Sequence, residues 1–320
     1  MVILWGSSML IHCSSSTISP NWTKSVVCIG TFDGVHLGHQ QLVRRAVELA
    51  REHECPSWIL TFDQHPMAIL NPERCPAAVA GIEANLEMFQ AMGICGALVL
   101  HFDRQLMETS AEDFFQKIVR DTLKATHIVI GHDFAFGHNR VGTGEWLEPK
   151  IETTILEPYL FEGVRVSSSA VRSAISEGRV EDAARFLGRP FSMHGVVVSG
   201  EKMGRSIGFP TINLATSLRR AVPPDGVYSG FARTAKGDFL AAIGIGMRPT
   251  FEGTTRTIEA YLLDYPGDYL YGTAAEIGFL TRLRADQKFD SVEALVNQME
   301  MDVAQTRTIG TTLDVLNTKD

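Results

Sequence analysis

The sequence predicts two successive domains of different class: an α/β domain built on a parallel sheet, then an antiparallel β domain, barrel or sandwich, closed by a helix. Three observations predict this. At 320 residues the chain is about twice an ordinary domain. From Ser25 to about Ile155, short β-branched or apolar runs alternate with amphipathic helical stretches, the pattern of a sheet with crossover helices. Beyond Leu187, strand-like runs follow one another between Gly, Pro and Asp, and helical periodicity returns only near Ser291. The boundary is therefore expected near Leu187, giving domains 1–186 and 187–320.

In the first half, SVVCIG (25–30) reads as a strand. In LGHQQLVRRAVELAREH (37–53), Leu42, Val43, Ala46, Val47 and Ala50 recur three and four apart and form one apolar helical stripe. WILTF (58–62), GALVL (96–100) and THIVIG (126–131) read as further strands, and 81–93 and 111–123 as helices. Such sheets bind ligands beyond the carboxyl ends of their strands, so the loops 30–39, 61–66 and 131–138 are where chemistry is expected. Residues 167–190 read as two short helices ended by Gly188 and Pro190. In the second half, MHGVVVSG, GVYSGFART, FLAAIGIGM, RTIEAYLLD and TAAEIGFLTRL read as strands.

Composition narrows the function classes. Hydrophobic residues at 45% and charged residues at 21% are the balance of a folded globular chain. A net charge of −8, with no run of Lys and Arg, argues against bulk binding to nucleic acid. No stretch approaches the roughly 20 apolar residues needed to span a membrane. The five cysteines form no CxxC pair, which favours free thiols in a reducing compartment and a cytoplasmic location. The first twenty residues lack the charged n-region and cleavage site of a signal peptide, so a disordered extension is expected, with Met9 as an alternative start.

Two segments stand out chemically. GTFDGVHLGH (30–39) lies between the first strand and first helix, where unpaired N–H groups and the helix dipole favour phosphate. Gly34 and Gly38 allow close approach to the backbone, and His36 and His39, three apart, can both face the pocket. A metal pair is the competing reading, but it wants a third ligand, and His65 is the only obvious local candidate. The second segment, GVVVSGEKMGRSIGFPTIN (195–213), strings Gly195, Gly200, Gly204 and Gly208 among Lys202, Arg205, Pro210, Thr211 and Asn213. Successive N–H groups of such a run can form an anion-binding concavity, and Thr211 and Asn213 offer neutral oxygens suited to Mg²⁺. A plain Gly-rich hairpin explains the spacing equally well.

The first string resembles the HxGH signature of the nucleotidyltransferase superfamily, in the form carried by bacterial bifunctional riboflavin kinase/FAD synthetases. That resemblance extends through TFDQHP (61–66), GHDFAFGHNRVG (131–142) and VSSSAVR (166–172). It implies a Rossmann-like nucleotidyltransferase domain in which His36, His39, Ser168, Ser169 and Arg172 handle ATP phosphates, with Gly30, Phe32 and Gly38 also at ATP. Asp133 and Phe134 become flavin candidates. Two positions depart from the family pattern: Gln64 stands where proline is usual, and Ala135 where a basic residue is usual.

The second segment resembles the GxxxGRxxGFPTxN signature of riboflavin kinases, and matches continue through DGVY (225–228), GMRPTF (246–251), RTIEAYLLD (256–264) and RLRADQKFDS (282–291). This implies a six-stranded antiparallel barrel, ATP–Mg²⁺ at the Gly-rich segment, and Glu259 as catalytic base. Arg282, Arg284 and Phe289 would contact flavin, although surface ion pairs explain the arginines nearly as well. The resemblance as a whole implies an enzyme that phosphorylates riboflavin to FMN and adenylylates FMN to FAD with ATP and Mg²⁺. Two rivals remain at this point, a kinase with a degenerate first module and a non-catalytic flavin- or RNA-binding regulator. A weak homo-oligomer is left open.

Overall fold

The computed structural model describes residues 2–5, 9–13, 21–200, 204, 207–216, 219–250, 253–267 and 269–313. The chain divides into two compact units, one of residues 1–76 and 81–168, the other of 77–80 and 169–320.

The first unit is an α/β layer structure around one sheet. Its strands are β1 (Val2–Trp5), β2 (Met9–Cys13), β3 (Ser25–Ile29), β4 (Ser57–Phe62), β5 (Gly96–Leu100), β6 (Ala125–Gly131) and β7 (Glu152–Leu156). They lie in the order β1-β2-β5-β4-β3-β6-β7. Every pairing is parallel except the β1–β2 hairpin at one edge. The expectation of a disordered N-terminal extension is corrected here: residues 9–13 add in parallel to β5, and residues 2–5 fold back on them.

Central strands β3 and β5 are buried along their whole length, as expected of a sheet covered on both faces. Helix α1 (Leu37–Glu52) buries the Leu42, Val43, Ala46, Val47 and Ala50 stripe read from its periodicity. The unit also contains α2 (Met67–Leu70), α3 (Ile82–Ala91), α4 (Arg104–Glu108) and α5 (Ala111–Asp113), the last continued by a π-helical stretch, Phe114–Thr122, and α3 shares the apolar cluster of α1. Short α6 (Gly144–Leu147) precedes β7, and a small hairpin, β8 (Leu160–Phe161) with β9 (Val164–Arg165), follows it. Two apolar clusters, one centred on Phe32, Val43 and Phe89 and the other on Trp58, Phe114 and Ile128, form the core on the two faces of the sheet.

The second unit contains the helices α7 (Ser168–Ser176), apart from its first residue, and α8 (Val180–Leu187), which ends on Gly188 in the left-handed conformation. A closed antiparallel barrel follows: β10 (Phe191–Val198), β11 (Thr211–Ala215), β12 (Gly226–Thr234), β13 (Gly237–Thr250), β14 (Gly253–Leu262) and β15 (Ala274–Ala285). Their order is β10-β11-β14-β13-β12-β15, and β10 pairs with β15 to close the ring. Register shifts along β12–β15 supply the bends that closure requires. Val171, Ile175, Val180 and Leu187 join Tyr228, Ile243, Ile277 and Phe279 in one core. Helix α9 (Val292–Thr312) is capped by the Ser291 hydroxyl, which accepts from Ala294 N–H.

Candidate active sites

The turn between β3 and α1 is strained. Phe32 (φ 47°) and Val35 (φ 42°) hold positive φ, Gly34 lies between them at φ 80°, and the Phe32 and Val35 side chains are fully buried. For a β-branched residue this conformation is a genuine outlier, costing on the order of 1–3 kcal/mol. Three hydrogen bonds hold it: Val35 N–H to Phe32 O (3.2 Å), Gln40 Nε2 to Val35 O (3.0 Å), and Ser168 Oγ to Asp33 O (3.0 Å). The constraint delivers His36 to the N-cap of α1 in extended conformation, where its Nδ1 accepts from His39 N–H at 3.3 Å. With Nδ1 committed as acceptor, the neutral ring carries its proton on Nε2.

His36 and His39 stack, with centroids 3.6 Å apart and planes at 18°. Burial, and then the neighbouring His36, push His39 well below the ordinary histidine range, so the pair does not hold two charges near neutral pH. The Phe32 ring meets His39 edge-on at 5.2 Å and Phe89 at 5.3 Å. Gly38 leaves room for this arrangement, because a Cβ there would lie 3.3 Å from the His36 ring.

Beyond the carboxyl ends of the strands lies a cavity of about 670 Å³. Gly30, Phe32, His36, Gly38, His39 and Ser168 border it, so sequence positions 30–39 and 168 do converge. Another part of the wall is aromatic: Phe62 and Phe102 meet edge-on at 5.6 Å, and Phe134 stacks on Phe136 at 5.9 Å. Such a cavity offers anion-binding donors together with apolar walls for a flat ring system.

Asp133 lines the cavity but is engaged with Arg165, whose Nη2 donates to Oδ2 at 2.6 Å. Burial works to raise its pKa; the Arg165 hydrogen bond and the nearby His132 and Arg165 charges outweigh that and hold the carboxyl below its usual range. Gln64 donates from Nε2 to Phe102 O (2.7 Å), tying the loops after β4 and β5 together. His65 accepts from Met67 N–H through Nδ1, a local capping role. Sequence reasoning missed Arg165, Arg140 and Tyr159 as cavity residues; Arg140 and Asn139 sit consecutively at positive φ, which no residue pattern announces. Ser169 and Arg172 follow on α7 in the second unit, with Arg172 Nη2 donating to Ser169 Oγ at 3.2 Å.

In the barrel, antiparallel register makes Asn213 the direct partner of Glu259, and Thr211 Oγ1 donates to Glu259 Oε2 at 3.2 Å. A Cβ on Gly200 would run into the Asn213 carboxamide, and one on Gly204 would strike the Phe209 carbonyl, with Thr211 Oγ1 3.7 Å away. Gly200 and Gly204 therefore lie against Asn213 and Thr211, the latter tied in turn to Glu259. Gly208 adopts φ 89° just before Pro210, with open space around it. Lys202 and Arg205 lie outside the described residues.

The two arginines of β15 make structural contacts. Arg284 grips the buried Asp302 of α9 through Nε and Nη2 at 2.8–3.1 Å, and its guanidinium lies 5.7 Å from the Phe289 ring centre. Arg282 donates to Asp225 O (3.0 Å) and lies 6.0 Å from the Tyr228 ring centre.

Two family models match successive stretches of the chain. Residues 18–170 match the family model for FAD synthetase, and residues 187–310 that for riboflavin kinase. A bifunctional riboflavin kinase/FMN adenylyltransferase of Pseudomonas fluorescens is 35% identical over 91% of this chain and 95% of its own length. That of Listeria monocytogenes is 33% identical over 93% and 96%. A solved structure described as a macrolide-efflux protein from Streptococcus pneumoniae matches with TM-score 0.85 at 32% identity, over 93% of this chain and 98% of its own. Among the described residues here, no helix is long and apolar enough to cross a membrane.

Proposed function

The chain belongs to the family of bifunctional riboflavin kinase/FMN adenylyltransferases, and from this premise we propose how its two sites divide the work. The enzyme converts riboflavin and ATP to FMN, and FMN and ATP to FAD with release of pyrophosphate. The rival readings, a degenerate first module or a non-catalytic regulator, are not favoured, since both halves match enzyme family models.

The α/β unit would perform adenylylation. An FMN phosphate oxygen attacks the α-phosphorus of ATP, the bond from that phosphorus to the α,β-bridging oxygen breaks, and pyrophosphate leaves. The nucleophile is already ionised, so no base is needed, and the protein's task is to position the reactants and stabilise developing charge. His36 Nε2–H, the N-terminus of α1, and Ser168, Ser169 and Arg172 are the donors assigned to the triphosphate. Gly30, Gly38 and the Phe32 backbone border the same place. The flavin ring goes to the aromatic walls, where Phe134 lies; Asp133 acts through its pairing with Arg165.

The barrel would perform phosphorylation, its boundary with the first domain proposed near Leu187. Here the nucleophile is the neutral 5′-hydroxyl of riboflavin, which calls for a base, and Glu259 is assigned to accept its proton as the γ-phosphoryl group transfers and its bond to the β,γ-bridging oxygen breaks, releasing ADP. Gly200, Lys202, Gly204, Arg205, Gly208 and Pro210 form the proposed ATP-binding segment. The hard oxygens of Thr211 and Asn213 fit Mg²⁺, which accompanies ATP and neutralises phosphate charge. An ATP-consuming enzyme of this kind fits the cytoplasm.

The single observation supporting the double assignment is that His36, His39 and Ser168 border one cavity of the first unit while Thr211, Asn213 and Glu259 adjoin one another in the barrel. Incubation with riboflavin, ATP and Mg²⁺ is expected to yield FMN and then FAD. FMN accumulation with no FAD, even when FMN is supplied directly, would overturn the assignment of the first unit.

A further inference from the structure

At the amino ends of the parallel strands, remote from the cavity at their carboxyl ends, the register of the sheet makes His127 of β6 the direct partner of Glu152 of β7. Two residues further along β7, Thr154 faces the same side. His127 is 4% exposed, and its Nε2 lies 2.8 Å from Thr154 Oγ1. Its Nδ1 is buried and makes no hydrogen bond; Glu152 Oε1 stands 3.5 Å from it. Helix α1 spans about 24 Å at 1.5 Å per residue, and its C-cap residue is His53, held at its carbonyl by Lys24 Nζ (2.6 Å). One ligand atom from each of His53, His127 and Glu152 lies within 4.8 Å of the other two.

We propose that His53, His127 and Glu152 form a binding site for a divalent first-row transition metal, with zinc as the preferred ion, at this end of the sheet. Two imidazoles and a carboxylate are a borderline donor set suited to Zn²⁺ or Co²⁺ rather than to the Mg²⁺ that travels with ATP. The Nδ1–Oε1 separation is already close to the edge of a tetrahedron with bonds of about 2.0–2.1 Å, which is about 3.3 Å. His53 and Glu152 are solvent-accessible and can close the remaining gap, while His127 is fixed.

Thr154 acts as the outer partner that orients a metal-bound imidazole: with Nε2–H donating to its hydroxyl, the lone pair of Nδ1 faces the other two ligands. A plain ion pair is a poorer account of these groups. His127 is buried and engages Thr154 through Nε2, while its Nδ1 makes no hydrogen bond and the Glu152 carboxylate stops 3.5 Å away, too far for a close hydrogen-bonded pair. Of the cations nearby, Arg45 is occupied by Glu48 and Glu52, each at 3.3 Å, and Lys24 by the His53 carbonyl. A bound ion would link the end of α1 to the edge strand β7.

The test uses untagged full-length enzyme stripped with chelator and assayed without ATP. Titration with Co²⁺ is expected to give one ion per chain, visible d–d absorption without a thiolate charge-transfer band, and displacement by Zn²⁺. Zn²⁺ is also expected to raise the unfolding temperature of the first unit. His53→Ala and Glu152→Gln, both at accessible positions, should each weaken binding at least about tenfold. His127→Gln should abolish it; if that variant fails to fold, the other two still decide. Absence of binding tighter than about 1 mM, a thiolate band, or affinity unchanged in both accessible-site variants would overturn the proposal.

Discussion

Replacing Gly38 with alanine separates the role of His36 from mere folding. The new Cβ would sit 3.3 Å from His36 Cε1 and Nδ1 and 3.4 Å from Tyr159 Cβ. Tyr159 Cβ is fixed to its backbone, so the His36 ring must yield by a few tenths of an ångström. That movement weakens the cap bond from His39 N–H, already 3.3 Å long. Losing a helix cap costs about 0.5–2 kcal/mol, and alanine in place of a helical glycine returns up to about 1 kcal/mol. Stability should therefore change by no more than about 1 kcal/mol, a shift of about 2–4 °C in Tm.

Catalysis has no such compensation. Removing a preorganised donor to a developing anion typically costs on the order of 10²–10³ in kcat, and displacing one should cost at least about tenfold. The assay follows FAD formed from FMN and ATP, with FMN formation from riboflavin as the internal control. Undiminished FAD synthesis in folded Gly38→Ala would refute the assignment of His36 to the phosphates; equal loss of both activities would refute the separation of sites.

Two further predictions follow from the same geometry. His39 has a folded pKa below its unfolded value of about 6.5, so below that pH the unfolded chain binds more protons and the first unit loses stability as pH falls. His127 acts in the same direction and exposed His101, raised by its hydrogen bond to Asp63, in the opposite one. The measurement is accordingly a difference: denaturant melts of His39→Asn from pH 7.5 to 5 should show a shallower decline than the parent, and identical slopes would contradict the buried neutral ring. In the barrel, Arg284→Ala and Asp302→Ala should destabilise by similar amounts, on the order of 3 kcal/mol, with a double variant far less costly than the sum. A raised riboflavin KM in Arg284→Ala alone, without that coupling, would instead favour direct flavin contact.

Much of the fold was legible because its signals are periodic. The α1 stripe from Leu42 to Ala50 and the strands 96–100 and 126–131 stand almost where the residue pattern puts them. Strand β7 escaped notice because ETTIL is half polar at a sheet edge, and β11 because TIN read as a ligand segment. The buried face of α9, Asp302, Thr306 and Gly310, is polar or small, so hydrophobic periodicity could not reveal which side packs. Within the sites, His36 and His39 announce themselves by spacing at a strand-to-helix turn. Glu259 does not: it lies 46 residues from Asn213, and only the barrel register makes them neighbours. The positive φ of Val35 is likewise invisible, since nothing in a valine signals strain.

The central claim, two separate ATP sites in one chain, is tested most directly by Glu259→Gln assayed by flavin chromatography. The variant is expected to form no FMN from riboflavin while converting supplied FMN to FAD at close to the parent rate. Loss of both reactions in the folded variant, or retention of FMN formation, would contradict the account.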